Sequence, residues 1–505
     1  MPLTYIEKIL RSKVYDVAIE SPLHFAPLLS EAWQNNIFLK REDLQPVFSF
    51  KIRGAYNKIA SLSEQEQQHG VIAASAGNHA QGVALSANKL KINALIVMPK
   101  TTPEIKVNSV RDWGAEVVLF GDAFDDAYQH AKKLAKQRQM TFIHPYDDVD
   151  VIAGQATVAM EILRQKTDKI DAIFVPVGGG GLISGIAVYA KFVRPDIKII
   201  GVEPNDSDCL NQALKAKKRV ILKQVGLFAD GVAVKQIGKE NFKLARRWVD
   251  EVITVNTDEI CAAIKDIFES NRSICEPAGA LALAGLKKHI ATTGCVDKNF
   301  VAIESGANIN FDRLRYVAER TLSGEHREIL LAVNIPEQAG SFLSFCKLLG
   351  NRSITEFNYR YFQAEQAQIF VGISSSGDKS DKVNIIATLE KKGFSVTDIT
   401  HNELAKEHVR YMVGGHISKN FKEVIYSLQF PERPAALLRF LTSLGSQWNI
   451  SLFHYRNHGA AFGKVLVGFE IAEHEKTALQ VCFDALGFSY TEETDNPAYQ
   501  LFSGK

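Results

Sequence analysis

Four consecutive glycines, Gly178, Gly179, Gly180 and Gly181, interrupt a predominantly apolar stretch of 19 residues without a charged side chain, residues 172–190. Pro176 and the glycines would suit a lipid-exposed helix badly. The pattern instead predicts a buried strand, a tight loop and the start of a helix. Successive glycines at such a junction let backbone N–H groups surround a phosphate, and the dipole of the following helix favours its negative charge.

Short apolar runs alternate with segments of helical length from the N-terminus to about residue 320. Apolar runs without polar alternation are typical of parallel strands that are covered on both faces. The sequence therefore predicts an α/β fold with a doubly wound parallel sheet. The predicted strands include residues 71–74, 94–98, 116–120, 172–177 and 199–202, and the predicted helices include residues 78–90 and 122–137.

Composition excludes several classes of protein. The chain has 505 residues, with 59 Lys and Arg against 57 Asp and Glu, so its formal charge of +2 gives no electrostatic case for nucleic acid or an anionic membrane as partner. The six cysteines form no CxxC pair, and the N-terminus lacks the apolar run of a signal peptide. We expect a cytoplasmic protein of several domains with no metal site.

An internal repeat follows residue 320. Residues 334–350 resemble residues 429–445 at an offset of 95, and residues 354–360 resemble residues 450–456 at an offset of 96. Each copy predicts a ferredoxin-like βαββαβ module. We expect one region at residues 1–322 that carries the chemistry, followed by modules at residues 325–400 and 421–498 that bind or regulate.

Lys51 follows Phe50 at a predicted helix start. A lysine there is ordinarily a solvated surface residue, but it can form a Schiff base when its surroundings lower its pKa. Ser75, Gly77 and Asn78 follow a predicted strand and open a helix whose N–H groups could face a carboxylate, although an ordinary helix cap explains them too.

Two further motifs stand at the ends of predicted elements. Ser305 lies at a strand end, where a plain turn is the alternative interpretation. Glu276 precedes an alanine-rich helix, and we interpret it as a charge that favours a helix start, outside the site.

Taken together, the segments SFKIRGAY, ASAGNHAQGVA, PVGGGGLISG and SGAN resemble the threonine dehydratase family. These are pyridoxal-phosphate enzymes of fold type II, the tryptophan-synthase β-like fold, so the resemblance implies a catalytic region of two α/β lobes with parallel sheets at residues 1–322. The repeat resembles the paired ACT-like regulatory region of the biosynthetic members. The resemblance implies β-elimination of L-threonine to 2-oxobutanoate and ammonia, the first committed step of isoleucine biosynthesis. It also implies a homotetramer that isoleucine inhibits, with valine as a candidate antagonist.

The resemblance also implies a role for each matching residue. Lys51 would hold the cofactor covalently and act as general base, Phe50 would pack near its ring, and Asn78 would hydrogen-bond its 3′-oxygen. The phosphate would lie against the four glycines and Leu182, and the pyridine nitrogen would face Ser305. The carboxylate of the substrate would lie against Ser75 and Gly77.

Two positions depart from related patterns. Phe48 stands where the motif ordinarily has histidine, and we expect little effect. Ala76 replaces a serine that related serine racemases use as acid and base, which argues against racemisation.

The alternatives that stay open are a serine-preferring dehydratase, a β-replacement enzyme such as a cysteine synthase, and an amino-acid sensor with a vestigial catalytic domain. For isoleucine we expect the loops at residues 336–341 and 431–436, where Gly340 and Ala435 are small.

Overall fold

The computed structural model describes residues 2–324, 328–336, 354–360, 366–375, 379–409, 423–431, 447–456 and 462–503, together with residues 345, 348, 349, 440, 443 and 444. The chain divides into two compact units, Met1–Val317 and Ala318–Lys505. Within the described ranges, no helix is long and apolar enough to cross a membrane.

Ten strands form the framework of the first unit. They are β1 (Leu23–Phe25), β2 (Asn36–Arg41), β3 (Val71–Ala74), β4 (Ala94–Met98), β5 (Glu116–Leu119), β6 (Thr141–Phe142), β7 (Ala172–Pro176), β8 (Lys198–Pro204), β9 (Glu251–Val255) and β10 (Asn299–Glu304).

The helices that connect and cover these strands are α1 (Pro2–Leu10), α2 (Pro27–Trp33), α3 (Lys51–Ile59), α4 (Glu64–His69), α5 (Asn78–Leu90), α6 (Glu104–Asp112), α7 (Phe124–Gln137), α8 (Val149–Gln165), α9 (Gly181–Val193), α10 (Cys209–Ala216), α11 (Lys239–Trp248), α12 (Thr257–Asn271), α13 (Pro277–Thr293) and α14 (Arg313–Gly324). Short 3₁₀ turns occur at Val14–Asp16, Glu42–Leu44 and Asp230–Val232.

The strands form two sheets. The larger sheet has the order β1-β2-β10-β7-β8-β9, and the smaller has the order β5-β4-β3-β6. All neighbours are parallel except β1 and β2. The prediction of parallel sheets in the catalytic region is confirmed. The order of apolar runs does not reveal which strands pair, because that depends on packing between distant segments.

Both faces of the larger sheet are covered, as the unbroken apolar runs predicted. Every residue of β7 is buried. Its Phe174 packs in a core shared with α12 and α13, whereas Ile173 and Val175 pack in a second core with α8 and α9. The side chains of a strand alternate between faces, so one apolar strand supplies two cores.

The second unit contains two antiparallel sheets. Its strands are β11 (Glu328–Pro336), β12 (Ile354–Arg360), β13 (Gln366–Ser374), β14 (Ser395–Asp398), β15 (Glu423–Pro431), β16 (Asn449–Arg456), β17 (Phe462–Glu470) and β18 (Tyr490–Glu492). Its described helices are α15 (Lys379–Lys391), α16 (Glu403–Glu407), α17 (Lys476–Leu486) and α18 (Pro497–Ser503), with a 3₁₀ turn at Glu473–Glu475.

The order β12-β13-β11-β14 recurs as β16-β17-β15-β18. Residues matched by the repeat have the same partners, since Leu330 pairs with Gly372 and Ile425 pairs with Gly468. Both copies even shift register at the same point, after residues 354 and 450. The predicted pair of ferredoxin-like modules is therefore confirmed, whereas the predicted boundaries of the regions stay predictions.

A buried ion network fixes α3, the helix that begins with Lys51. The side chain of Arg53 is fully buried, with its guanidinium 2.8 Å from Glu42 and 2.5 Å from Glu161. Lys40 is also fully buried, 2.6 Å from Glu161. Burial alone would raise the pKa of Glu42, but its contact with Arg53 lowers that pKa instead. Two cations thus balance two carboxylates, and α3 is tied to the turn before it and to α8.

We predict that Arg53→Met lowers the free energy of unfolding of the first unit by about 3–5 kcal/mol, because two carboxylates would stay buried without their shared partner. Urea unfolding followed by circular dichroism measures the change. Arg164→Met is the control: Arg164 pairs with Glu20 at 2.7 Å, but both side chains are about half exposed, so the loss should stay below about 1 kcal/mol. Equal losses in the two variants would contradict this role of Arg53.

Candidate active site

Lys51 is the first residue of α3, and its amine faces the segment that leads from β6 to α8. Its Nζ donates a hydrogen bond of 3.1 Å to the carbonyl oxygen of Pro145 and lies 5.3 Å from the ring centroid of Phe50. Burial lowers the pKa of Lys51 to about 8, and the carboxylate of Glu276 opposes that effect. Near neutral pH a useful fraction of the amine is therefore available as a base or nucleophile.

The glycine loop follows β7 and leads into α9. Gly180 has a φ of 92°, a left-handed conformation that suits glycine. A Cβ on Gly179 would lie 2.2 Å from the ring of Tyr146, and one on Gly178 would lie 2.9 Å from Cα of Val232. The loop is therefore packed too closely for side chains at these positions. The free N–H groups of the first turn of α9 lie directly after it, and Leu182 in that turn is buried.

Asn241 holds the loop against the segment next to Lys51. Its Nδ2 donates hydrogen bonds to the carbonyl oxygens of Gly179, at 3.0 Å, and Tyr146, at 2.9 Å. The glycine loop and the carbonyl partner of Lys51 are thus fixed relative to each other.

The start of α5 places three predicted residues together. The backbone N–H of Gly77 donates to Oγ of Ser75 at 3.2 Å. Among the described residues, no neighbouring atom lies within 4 Å of the position that a Cβ of Gly77 would take. The side-chain amide of Asn78 donates to Oε1 of Glu276 at 2.6 Å and accepts from Asn308 at 2.6 Å.

Ser305 directly follows β10. Its carbonyl oxygen accepts a hydrogen bond of 3.3 Å from the N–H of Phe50, and its hydroxyl donates to the carbonyl oxygen of Ala278 at 3.2 Å. An isolated bridge between Ser49 and Gly306 also joins the two segments. The residue before Lys51 and the end of β10 are therefore neighbours.

An unbroken series of contacts joins the predicted site residues. Gly179 packs on Tyr146, whose neighbour Pro145 contacts Lys51, and Phe50 next to Lys51 is bonded to Ser305. The N–H of Glu276 donates to the carbonyl oxygen of Gly306, and the carboxylate of Glu276 reaches Asn78. The structure thus brings Lys51, Asn78, the glycine loop and Ser305 into one region of the first unit.

Histidines near this region do not carry charge at neutral pH. Burial, with a smaller contribution from the charge of Lys51, lowers the pKa of His79 to about 3. Burial also lowers the pKa of His144 to about 4. The Nδ1 atom of His144 accepts the N–H of Asp147 at 2.9 Å. Both imidazoles therefore support the backbone, and Lys51 is the better candidate for proton transfer.

The sequence motifs did not point to several residues of this region. Glu276 was interpreted as a helix-start charge, but its side chain makes no hydrogen bond to the first turn of α13. Pro145, Tyr146 and Asn241 belong to segments that matched no motif. Asn308 is the last residue of the SGAN motif, and that motif was the one signal that could have pointed to it. Phe48, expected to matter little, is exposed and has a φ of 54°.

Two family models match the chain. One, described as "Pyridoxal-phosphate dependent enzyme", matches residues 14–306. The other, described as "C-terminal regulatory domain of Threonine dehydratase", matches twice, at residues 319–409 and 414–502. The first match contains all the predicted site residues, and the second follows the internal repeat.

Named proteins match over nearly the whole chain. The biosynthetic L-threonine dehydratase of Burkholderia multivorans is 52% identical over 99% of both chains. That of Pasteurella multocida is 54% identical over 99% of this chain and 97% of its own. The solved structure of the processed form of threonine deaminase isoform 2 from Solanum lycopersicum covers 63% of this chain and 93% of its own, at 48% identity and a TM-score of 0.62.

Two alanine substitutions distinguish the role of the glycine loop from the role of the start of α5. Gly179→Ala should weaken binding of pyridoxal phosphate by about 1–3 kcal/mol, because the new methyl group collides with Tyr146 and displaces the loop. Gly77→Ala, in open space, should keep the cofactor and raise the KM for the substrate. Cofactor titration of the cofactor-free protein and steady-state kinetics measure these effects. Full cofactor affinity in Gly179→Ala would contradict the assignment of the loop.

Proposed function

The chain belongs to the biosynthetic threonine dehydratases, which are pyridoxal-phosphate-dependent enzymes, and from that premise we propose which of its residues carry out the reaction. The protein is a threonine ammonia-lyase that depends on pyridoxal phosphate and converts L-threonine to 2-oxobutanoate and ammonia. The observation that carries the residue assignment is the series of contacts that joins Lys51, Asn78, the glycine loop and Ser305.

The residues of this region fit pyridoxal phosphate chemically. Its aldehyde needs an amine that is not permanently protonated, and burial lowers the pKa of Lys51 to about 8. Its phosphate needs N–H donors that nothing crowds, and the loop from Gly178 to Gly181 carries no side chain before the first turn of α9. The ring of the cofactor carries polar atoms that can form hydrogen bonds with the side-chain amide of Asn78 and the hydroxyl of Ser305.

Lys51 is proposed as the covalent anchor and the general base. When bound, pyridoxal phosphate supplies an electron sink for the bonds at the α-carbon of the substrate. Once threonine has displaced its amine, Lys51 can take the α-proton of the substrate, because the lowered pKa leaves the amine free to accept it. Loss of the β-hydroxyl and hydrolysis of the resulting enamine then give 2-oxobutanoate and ammonia.

The remaining site residues are proposed to bind and orient. The N–H of Gly77 and the hydroxyl of Ser75 would hold the carboxylate of threonine at the start of α5. Asn78 would donate to the 3′-oxygen of the cofactor, and Phe50 would pack near its ring. Ser305 offers a neutral hydroxyl to the pyridine nitrogen, so no carboxylate fixes a proton there. That arrangement limits charge delocalisation and favours prompt elimination over transamination.

Threonine is proposed as the preferred substrate, with serine as the alternative. Residue 76, just before α5, is alanine, which cannot act as the second acid-base group that a racemase uses. Measuring 2-oxobutanoate from threonine and pyruvate from serine under the same conditions tests the preference. A higher kcat/KM for serine would make the protein a serine-preferring dehydratase of the same fold.

We predict that Lys51→Ala lowers kcat for threonine deamination by about 10²–10⁴-fold or more, because the anchor and the base are lost together. Lys51→Arg should not restore activity, since a guanidinium stays protonated. Borohydride reduction followed by peptide mapping should label Lys51 in the wild-type protein and no other lysine. Substantial activity in Lys51→Ala would overturn the assignment.

Isoleucine is proposed as the inhibitor and valine as an antagonist, both acting at the regulatory modules. The proposal is supported by the matched regulatory domain and by the absence of any need for the second unit in the chemistry above. The loops expected to bind isoleucine lie outside the described residues, except for Pro336 and Pro431 at their starts. A homotetramer and a cytoplasmic location likewise stay predictions.

We predict that isoleucine inhibits the full chain and that valine relieves the inhibition. Inhibition requires isoleucine to bind the less active state more tightly, since equal affinity for both states shifts nothing. A chain that ends after α14 should retain threonine deamination and lose inhibition, and equilibrium dialysis should show that it no longer binds isoleucine. Inhibition of a soluble, active truncated chain would place the effector site in the first unit.

A further inference from the structure

Glu276 is a buried carboxylate for which the proposed reaction has no role. It stands just before α13, yet its side chain makes no hydrogen bond to the first turn of that helix. Its Oε1 atom instead accepts a hydrogen bond of 2.6 Å from Nδ2 of Asn78, and only 4% of the residue is exposed. The carboxylate therefore contacts Asn78, an interaction that the interpretation of Glu276 as a helix-start charge did not include.

Two glycines give this carboxylate the room to reach Asn78. A Cβ on Gly306 would lie 2.8 Å from Oε1 of Glu276, and a Cβ on Gly231 would lie 3.5 Å from it. The backbone N–H of Glu276 also donates to the carbonyl oxygen of Gly306 at 3.1 Å. A side chain at residue 306 would push the carboxylate away, so the local structure is built around its contact with Asn78.

The amide of Asn78 is fixed at both ends. Its Oδ1 accepts from Nδ2 of Asn308 at 2.6 Å, and the same nitrogen of Asn308 donates to the carbonyl oxygen of Val47 at 2.8 Å. Its Nδ2 carries two hydrogens, and Glu276 takes one of them. If the amide of Asn78 rotated by 180°, its NH2 group would face the NH2 group of Asn308, and its carbonyl oxygen would face the carboxylate of Glu276. Both contacts would be unfavourable, so the amide keeps its orientation. One N–H of Asn78 thus stays available in a fixed direction.

Charged groups on three other elements surround Glu276. Asp230 belongs to a 3₁₀ turn and pairs with Lys106 of α6 at 2.9 Å and with Arg313 of α14 at 3.4 Å. Burial raises the pKa of Glu276 to about 7 and Asp230 adds to the rise, while the hydrogen bond from the Asn78 amide, Lys106 and Arg313 oppose it. On the other side, the charge of Glu276 favours the protonated form of Lys51.

We propose that Glu276 is a positioning residue for the elimination. It holds Asn78 in the one orientation that keeps an N–H for the cofactor. The inference rests on the proposed function, because it assumes that Asn78 and Lys51 both meet the cofactor. A negative charge in a buried site stabilises a nearby cation, so removing the charge of Glu276 should also make the nitrogen of Lys51 lose its proton at lower pH.

Glu276→Gln tests the charge, because glutamine keeps a side-chain oxygen that can accept from Asn78. The readout is the pH midpoint of the absorbance change of the lysine-bound cofactor in the holoenzyme without substrate. We expect the midpoint to fall by about one pH unit. Glu407→Gln is the control: Glu407 is also a buried carboxylate, paired with Lys464 at 2.6 Å in the second unit, and its loss should leave the midpoint unchanged. An unchanged midpoint in Glu276→Gln would overturn the role of the charge.

Glu276→Asp and a double-mutant cycle test the orientation of Asn78. Aspartate keeps the negative charge, but its shorter side chain moves the carboxylate oxygen away from Asn78. The pH midpoint should therefore stay unchanged, while the cofactor should dissociate faster. This variant also tests the proposal if Glu276→Gln does not fold. The losses of cofactor affinity in Glu276→Leu and Asn78→Ala should not add in the double variant, because one acts through the other. Additive losses would overturn the positioning role. A wild-type protein without lysine-bound cofactor would instead refute the proposed function.

Discussion

The buried guanidinium of Arg53 is the contact on which the position of Lys51 depends. The two residues lie on the first turn of α3, and Arg53 is bonded to Glu42, Glu161 and Thr157 at once. Ions taken out of water cost several kcal/mol each unless their partners are fully in place. α3 can therefore shift only if two carboxylates lose their counter-ion. The amine of Lys51 is placed by this network, whereas its pKa is set by burial and by Glu276.

The sequence allowed the fold to be predicted wherever the pattern is local. β3, β4 and α5 begin and end where the apolar runs predicted, and β5, β7 and β8 differ by one or two residues at an end. The repeat predicted two equivalent modules, and their matched strands pair in the same register. The apolar runs did not predict which strands pair within each sheet, because β6, for example, has only two residues and pairs with β3, far away in the chain. Pairing of that kind is decided by packing and leaves no local pattern.

The site could be predicted only where a motif holds several residues in a row. Lys51, Asn78, the glycine loop and Ser305 each lie in such a run, and the structure brings them together. Glu276 and Pro145 act through single contacts with residues that are 198 and 94 positions away. A glutamate before a helix is ordinarily a solvated charge that favours the helix start. Only the tertiary structure shows that this one contacts Asn78, so composition and spacing did not reveal the contact.

The duplicated modules of the second unit share one core, and this limits how they can respond to a ligand. Leu330 and Phe370 of the first module pack in the same apolar cluster as Ile425 and Leu466, their repeat equivalents in the second. Equivalent threonines, Thr400 and Thr494, each accept the N–H of residue 330 or 425. A close-packed interior transmits small displacements instead of absorbing them. A ligand that shifts the central strands of one module therefore changes the packing of the other. By thermodynamic reciprocity, the two modules must affect each other's binding equally.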